Sequence, residues 1–263
     1  MIRSILALLL AGHAVLALAA SQSSEPLVVT SGKTITPLVE LYTSEGCSSC
    51  PPADKLLSRL GNAEIESFEL VPLAFHVDYW NWLGWPDPYS QPKFTDRQRK
   101  IGAINRQRSI YTPEMVVAGR EARGGDRIYS LIDRYNRTPS EVSVTLSLET
   151  RSPTWLQAEL EIDNMSDVAD AEVFLAVFEN NITREIGAGE NAGKTLVYDF
   201  VVRHWSMPFA VSDGQSSHSI ALPVGADWDR ANLGVAAIVM DRESSDTLQA
   251  VSTEVSRLFA TNQ

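Results

Sequence analysis

The hydrophobic pattern of this chain changes near residue 140. Before that point, short apolar runs alternate with segments of helical spacing in the order β-α-β-α-β-(β)-α, which is typical of a small α/β sheet with crossover helices. After it the period becomes two, as in the alternating run from Val142 to Leu148. Roughly seven or eight such strands without a helix predict an all-β sandwich of immunoglobulin-like kind. We therefore predict an α/β domain over residues 33–137 and the sandwich over residues 141–259.

Charge is divided unevenly between these two parts. Residues 21–140 carry 14 Lys and Arg against 14 Asp and Glu, whereas residues 141–263 carry 7 against 19. The asymmetry supports two domains, and the acidic second part argues against binding to nucleic acid or to an anionic membrane. A basic run opposed only by Asp96 predicts either a solvated helix face or a positive rim near the cysteines. Its members are Lys93, Arg97, Arg99, Lys100, Arg106 and Arg108.

The first 20 residues have the pattern of a signal peptide. Arg3 precedes a mostly apolar run, and Ala17-Leu18-Ala19 fits the small-x-small pattern of a signal-peptidase site. The run is short for the ~20 residues of a spanning helix, so an uncleaved anchor is the weaker alternative. We expect cleavage near Ala19 or Ala20, no membrane insertion afterwards, and a periplasmic or secreted protein in a compartment where disulfides persist.

The only two cysteines stand three residues apart at the start of a predicted helix. Cys47 and Cys50 follow a buried strand and a turn, and Pro51 and Pro52 come where the first helical turn tolerates proline. A disulfide closing so short a loop contributes only about 2 kcal/mol, so a purely structural role explains the spacing poorly. Half of a zinc site is another explanation, but no second Cys-x-x-Cys or His-x-His pair would complete it.

A redox role explains the position of the cysteines best. At a helix N-terminus, unpaired N–H groups and the positive end of the helix dipole favour thiolate over thiol. We predict that Cys47 is the nucleophile and that Cys50 resolves the mixed disulfide, without a cofactor. The substrate is then a protein or a small-molecule thiol, served by an unknown redox partner. Glu40, on the strand before the turn, either takes up the proton of Cys50 or is an exposed edge residue.

Polar and aromatic residues follow the second predicted strand, where loops are expected to meet near the cysteines. His76 could tune the thiolate, bind a metal or be purely structural, and Asp78 lies beside it. Three tryptophans come next, Trp80, Trp82 and Trp85. They predict either the packing of a long loop or an aromatic platform for an unfolded or peptide substrate.

One glycine-rich segment has a superficial likeness to a phosphate-binding loop. Residues 188–195 match a loosened form of that pattern, with Ala188 in place of the first glycine. A true phosphate loop opens a helix, whereas Thr195 leads into a strand-like run. We therefore predict a β-hairpin loop here.

Several of these segments resemble known families. Residues 42–50 resemble the active-site run of glutaredoxins, and residues 111–119 with 124–126 resemble their downstream Thr-x-Pro strand and Gly-Gly-x-Asp turn. The whole chain more closely resembles a secreted thioredoxin-like family of unknown function. The segments that carry this resemblance are Cys47-Ser48-Ser49-Cys50-Pro51-Pro52-Ala53-Asp54, Phe75-His76-Val77-Asp78-Tyr79-Trp80, Leu83-Gly84-Trp85, Tyr111-Thr112-Pro113 and Gly189-Glu190-Asn191-Ala192-Gly193.

The resemblance implies a thioredoxin-like fold for the first domain. It also implies that Pro113 is cis and packed against the cysteine pair, with the Thr112 backbone pairing to a bound peptide or glutathione. The leading hypothesis is thus an exported thiol-disulfide oxidoreductase. A carrier of a soft metal such as Cu(I), using Cys47, Cys50 and His76, is the second. The third is a non-catalytic binding module whose acidic sandwich is the working surface, and a homodimer through the sandwich is a further option.

Overall fold

The computed structural model describes residues 25–64, 68–165 and 170–260. The predicted signal peptide therefore lies outside the described residues. Across these ranges, no helix has the length and apolar character needed to cross a bilayer.

Three α-helices occur in the described residues, α1 (Pro51–Gly61), α2 (Pro92–Ile104) and α3 (Gly125–Asn136). Helices α1 and α2 both begin on proline, whose missing N–H has no partner to lose in the first turn. Single 3-10 turns lie at Asn81–Leu83, Arg230–Asn232 and Ser256–Leu258.

Strands make up most of the regular structure. In chain order they are β1 (Leu27–Thr30), β2 (Leu38–Thr43), β3 (Val71–His76), β4 (Glu114–Val117), β5 (Arg120–Glu121), β6 (Val142–Ser152), β7 (Trp155–Asn164), β8 (Ala171–Glu179), β9 (Ile182–Glu185), β10 (Thr195–Tyr198), β11 (Val201–Trp205), β12 (Phe209–Ala210), β13 (Gly214–Pro223), β14 (Leu233–Asp241) and β15 (Thr247–Glu254).

These strands form three sheets. A nine-stranded sheet has the order β15-β14-β8-β11-β3-β2-β4-β5, with β12 paired to β8. A four-stranded sheet has the order β1-β6-β7-β13, and β9 and β10 form a two-stranded hairpin. The hairpin confirms the loop predicted at residues 188–195.

The predicted fold class, an α/β thioredoxin-like domain followed by an all-β sandwich, is wrong. The described structure is mostly β-sheet, with only three α-helices, and its largest sheet takes strands from both parts of the chain. The sequence pattern identified strands but could not show that a strand from residues 201–205 would pair beside β3. Strand pairing over such separations depends on side-chain packing across the sheet, which local periodicity does not encode.

The nine-stranded sheet has an apolar cluster on each face. All nine residues of β8 are buried. Val173, Leu175 and Val177 pack against the four-stranded sheet, whereas Phe174 and Ala176 belong to the cluster that includes α1 and α2. The period-two pattern after residue 141 therefore describes strands of two different sheets.

Strand β11 joins the two parts of the chain. Val201 pairs with Ala74 of β3 in parallel, while β11 also pairs with β8 in antiparallel orientation. The sequence pattern predicts one strand over residues 195–203, but Phe200 has a φ of 58° and the chain divides there into β10 and β11. Strand β10 consequently lies outside the large sheet and pairs with β9.

The basic run around α2 is divided between the core and the surface. Arg97 is buried, and its guanidinium lies 4.8 Å from the ring centroid of Trp205. Lys93 donates to the carbonyl of Trp205, and Lys100 lies 3.7 Å from Glu172. These side chains connect α2 to the second half of the chain.

Candidate functional site

The two cysteines form a disulfide at the start of α1. The Sγ atoms of Cys47 and Cys50 are 2.06 Å apart, and Cys50 is the residue immediately before the helix. Strand β2 leads into this turn, as predicted. Between the cysteines, Ser48 and Ser49 are exposed.

Both cysteines are fully buried, with an exposed fraction of 0%. The predicted nucleophile Cys47 is therefore not reachable in this conformation. Any reaction with a second molecule requires the groups that cover the pair to move.

The hairpin loop at residues 186–194 covers the cysteine turn. The buried amide of Asn191 donates to the carbonyls of Glu45 and Cys47 at 2.8 and 2.9 Å. The exposed carboxylate of Glu190 accepts hydrogen bonds from the N–H and hydroxyl of Ser48 at 3.1 and 2.6 Å. A loop more than 140 residues away in sequence therefore closes the turn from outside.

Glu45, two residues before Cys47, joins the cysteine turn to Trp85 and to the β9–β10 hairpin. Its buried carboxylate accepts from Trp85 Nε1 at 2.6 Å and from Arg184 Nε of β9 at 2.9 Å. Gly187 of the hairpin loop lies against the Trp85 ring, and Gly189, which has a φ of 74°, lies against the Trp85 Cβ. The Trp85 segment and strand β9 of the hairpin thus meet on the carboxylate of Glu45.

A carboxyl group that the sequence analysis did not select lies one helical turn after Cys50. Asp54 is buried, and Oδ1 accepts a hydrogen bond from the Thr43 hydroxyl at 2.8 Å. Burial raises the pKa of Asp54 to about 7, although the charge of His76 and the Thr43 hydrogen bond act to lower it. Asp54 can therefore exchange a proton near neutral pH.

His76 and Asp87 form a buried pair beside Asp54. Nδ1 of His76 lies 2.7 Å from Oδ2 of Asp87, which also accepts from the N–H of Glu45. Burial acts to lower the pKa of His76, but the nearby carboxylates, led by Asp87, outweigh it and raise this pKa. Burial acts to raise the pKa of Asp87, but the charge and hydrogen bond of His76 outweigh it and lower this pKa.

Two buried polar atoms of this cluster have no hydrogen-bond partner. They are Nε2 of His76 and the hydroxyl oxygen of Tyr198, whose rings meet edge to face at 5.2 Å. A buried polar atom without a partner lowers the stability of the fold unless a water or another group forms a hydrogen bond with it. The cluster beneath the disulfide is therefore incompletely paired.

Glu40 lies away from this cluster. Its carboxylate accepts from Arg97 Nε and Nη2 at 2.6 and 3.0 Å and from the Tyr42 hydroxyl at 2.8 Å. Glu40 and Thr43 stand three residues apart on β2, so their side chains lie on opposite faces of the sheet. Thr43 faces Asp54 and α1, whereas Glu40 faces α2.

The remaining predicted site residues are only partly brought together. Nε1 of Trp80 donates to the Thr112 hydroxyl at 2.7 Å, and Trp80 also lies against Gly46. The Thr112–Pro113 peptide bond is cis, and Pro113 shares a hollow of about 330 Å³ with Ala53 and Leu56 of α1.

Asp78 and Trp82 are placed differently from Trp80. Asp78 accepts from the Thr95 hydroxyl of α2 at 2.5 Å. Trp82 is 79% exposed. Trp80 and Trp85 thus support the cysteine turn, while Trp82 projects from the surface.

Sequence reasoning missed Asp54, Asp87, Glu190 and Asn191. Each of them contacts the cysteine turn or its strand through a residue at least 11 positions away in sequence. Asp54 offered a signal, because it shares the buried side of α1 with Leu57 and Leu60. The segment 189–193 carried the family resemblance but was not assigned to the site. Among the described residues, no group of three or more His, Cys, Asp or Glu side chains is arranged to hold a metal ion.

Fold and site together define a mostly-β protein with a capped Cys-x-x-Cys disulfide above a buried acid–imidazole cluster. The chain belongs to the family described as protein of unknown function DUF1223, whose model matches residues 38–240. No curated protein sequence matches the chain.

Several solved structures are similar to it, among them two with TM-scores above 0.6. The crystal structure of a protein from Agrobacterium tumefaciens has a TM-score of 0.62 at 27% identity, covering 84% of this chain and 95% of that one. HBP35 of Porphyromonas gingivalis has a TM-score of 0.64 at 15% identity, covering 89% of this chain and 80% of that one. The second likeness concerns the fold alone.

Proposed function

We propose that this protein is a thiol-disulfide oxidoreductase that exchanges disulfides through Cys47 and Cys50. The observation that carries the proposal is the Cys47–Cys50 disulfide at the start of α1, one helical turn before a buried carboxyl whose pKa is about 7. A disulfide in so short a loop adds little stability. A proton-exchanging group near it is what the chemistry of exchange requires.

The reaction has two steps. In the reduced protein, the Cys47 thiolate attacks a substrate disulfide, which releases one substrate thiolate and forms a mixed disulfide. Cys50 then loses its proton and attacks Cys47 Sγ, which releases the second substrate thiolate. Two electrons pass to the substrate, and the Cys47–Cys50 disulfide is the oxidised product. The reverse sequence oxidises a substrate dithiol.

Asp54 is better placed than Glu40 to take up the proton of Cys50. The N–H of Asp54 donates to the Cys50 carbonyl, so Asp54 lies one helical turn after Cys50. Asp54 changes protonation near neutral pH, whereas Glu40 is held by Arg97 and Tyr42 on the other face of the sheet. The His76–Asp87 pair lies next to Asp54 and acts on its charge.

Two further observations support the proposal. Residues 42–50 resemble the active-site run of glutaredoxins, and strand β2 ends and helix α1 begins on either side of the cysteine turn. An export signal in the first 20 residues would bring the protein to a compartment where disulfides persist. The substrate is then a protein or low-molecular-weight thiol of that compartment.

Replacing each cysteine separately tests the proposal. Cys47→Ser and Cys50→Ser should each abolish turnover in an assay of disulfide exchange, and only Cys50→Ser should retain the substrate as a mixed disulfide on Cys47, detected by intact-protein mass spectrometry. Ser130→Ala, an exposed residue of α3 that does not line the neighbouring groove, is the control and should keep wild-type turnover. Turnover that survives in both cysteine variants would rule the proposal out.

A further inference from the structure

The buried disulfide raises the question of what uncovers it. The contacts that must break are those of the Asn191 amide with the carbonyls of Glu45 and Cys47 and those of the Glu190 carboxylate with Ser48. Asn191 is buried, but Glu190 and Ser48 are both exposed. The Glu190–Ser48 contact is therefore the one that an incoming molecule meets first.

The Glu190–Ser48 contact shows which chemistry fits this position. The N–H and the hydroxyl of Ser48 hold one carboxylate oxygen together, a charge-assisted arrangement that any other carboxylate can occupy. Glu190 thus acts as an internal ligand that an acidic side chain of another molecule can replace.

A groove begins at Ser48 and runs between α1 and β10. It encloses about 890 Å³, and Val197, which is 52% exposed, lies on its wall. Strand β10 pairs with β9 and with no other described strand, so one of its edges has no strand partner. An extended polypeptide can add to such an edge through main-chain hydrogen bonds.

The groove is lined by cations in a protein whose net charge is −11. Lys55, Arg59 and Lys194 line it, together with the carboxyls of Asp54 and Asp199. All three cations are exposed, while Asp54 is buried and bound to Thr43. Lys194 also donates to the side-chain oxygen of Asn191 at 2.9 Å, which links the groove to the covering loop.

We propose that this groove binds an extended, acidic segment of a polypeptide substrate, and that binding of the segment displaces the 186–194 loop from the cysteine turn. A substrate carboxylate replaces Glu190 on Ser48, and others pair with Lys55, Arg59 and Lys194. The exposed sulfurs then react as in the proposed exchange. Small thiols, which do not fill the groove, meet the closed loop and react slowly. The inference names the substrate class of the proposed function and rests on it.

The first test measures how firmly the loop covers the disulfide. Glu190→Ala should increase the rate at which dithiothreitol reduces the Cys47–Cys50 disulfide by about threefold to tenfold, because two hydrogen bonds to a carboxylate are lost. Glu185→Ala, an exposed carboxylate on the same hairpin, should leave the rate unchanged. Equal rates in wild type and Glu190→Ala overturn the proposed covering role.

The second test measures the selectivity for acidic substrate. A cysteine peptide flanked by glutamates should reduce the disulfide about tenfold faster than its lysine-flanked counterpart at low salt, and the ratio should fall at high salt. Lys55→Glu should reduce that ratio, whereas Lys33→Glu, with the same charge change at a distant exposed site, should not. Equal rates for the two peptides in wild type overturn the proposed substrate class.

Binding to a redox-inactive variant separates this inference from the proposed function. The double variant Cys47→Ser, Cys50→Ser should bind the glutamate-flanked peptide, with its cysteine replaced by serine, more tightly than the lysine-flanked form by fluorescence anisotropy. Preferential binding without any exchange in the wild-type protein would remove the proposed function and leave the groove assignment standing. Exchange in the wild-type protein without preferential binding to the variant would remove the groove assignment and leave the proposed function standing.

Discussion

Two buried ionisable clusters lie on opposite faces of β2, and they differ in how completely their polar atoms are paired. On one face, Glu40 receives three hydrogen bonds from Arg97 and Tyr42, and Arg97 also lies over aromatic rings. On the other face, Asp54 and His76 lie beneath the disulfide, and Nε2 of His76 has no partner.

The difference separates a structural ion pair from a site that can change its protonation. The Glu40–Arg97 pair connects β2 to α2, and its geometry leaves both charges satisfied. The Asp54 cluster is buried to a similar depth, yet its carboxyl has a pKa of about 7. The two clusters are thus buried alike, and what distinguishes them is how completely their polar atoms are paired.

The largest effect is expected from breaking the paired cluster. Arg97→Met should lower the free energy of unfolding by roughly 3–5 kcal/mol, because it leaves Glu40 charged and unpaired in the core. Urea unfolding monitored by circular dichroism measures this. Arg99→Met, which removes an exposed partner of Asp96, should cost less than about 1 kcal/mol. Equal losses in the two variants would contradict a structural role for the buried pair.

A smaller and pH-dependent effect is expected at Asp54. Its pKa is raised on folding from 3.8 to about 7, so the folded protein binds the extra proton and loses stability as pH rises between those values. Asp54→Asn removes this loss and should stabilise the protein above pH 7 by up to about 4 kcal/mol relative to wild type. Urea unfolding at a series of pH values measures the difference.

The same variant should slow the resolving step. Without a carboxylate to receive the Cys50 proton, release of the mixed disulfide should lose its inflection near pH 7, which single-turnover kinetics can follow. Glu40→Gln provides the comparison, since it should alter stability but keep that inflection. An unchanged pH profile in Asp54→Asn would show that the two clusters do not differ in the proposed way.

The smallest effect is expected at Asp87. Asp87→Asn should lower the pKa of His76, because the charge and hydrogen bond of Asp87 are the largest of the contributions that raise it. The raised pKa stabilises the fold at acidic pH and this contribution disappears as pH rises through it, so the variant should lose stability mainly on the acidic side. NMR titration of the His76 ring measures the shift, with His218 of the four-stranded sheet as internal reference. If the pKa of His76 is the same in Asp87→Asn as in wild type, Asp87 is not the group that raises it.

The local elements around the cysteines were predictable because short-range chemistry determines them. The apolar run of β2 and the prolines of α1 place Cys47 and Cys50 at a strand-to-helix turn. Sequence could also suggest the hairpin loop, since its glycines and the following β-branched run exclude a helix. These features depend on neighbours within a few residues.

The fold class and the covering of the site could not be obtained in this way. The pairing of Val201 with Ala74 and the contact of Glu190 with Ser48 join residues more than 120 positions apart. Asp54 resembled an ordinary acidic residue in a first helical turn, a position where carboxylates are usually solvated. Only the packing of Thr43 against it and of β10 beside it makes the group buried.

The order of synthesis gives the covering loop one more consequence. Ser48 leaves the ribosome 142 residues before Glu190, and β3 lacks its neighbour β11 for a similar interval. During that time the two thiols of the newborn chain are not covered by the 186–194 loop. Oxidation of the pair is thus easiest before folding is complete. In the folded protein the disulfide is kept behind the 186–194 loop, which belongs to the last third of the chain.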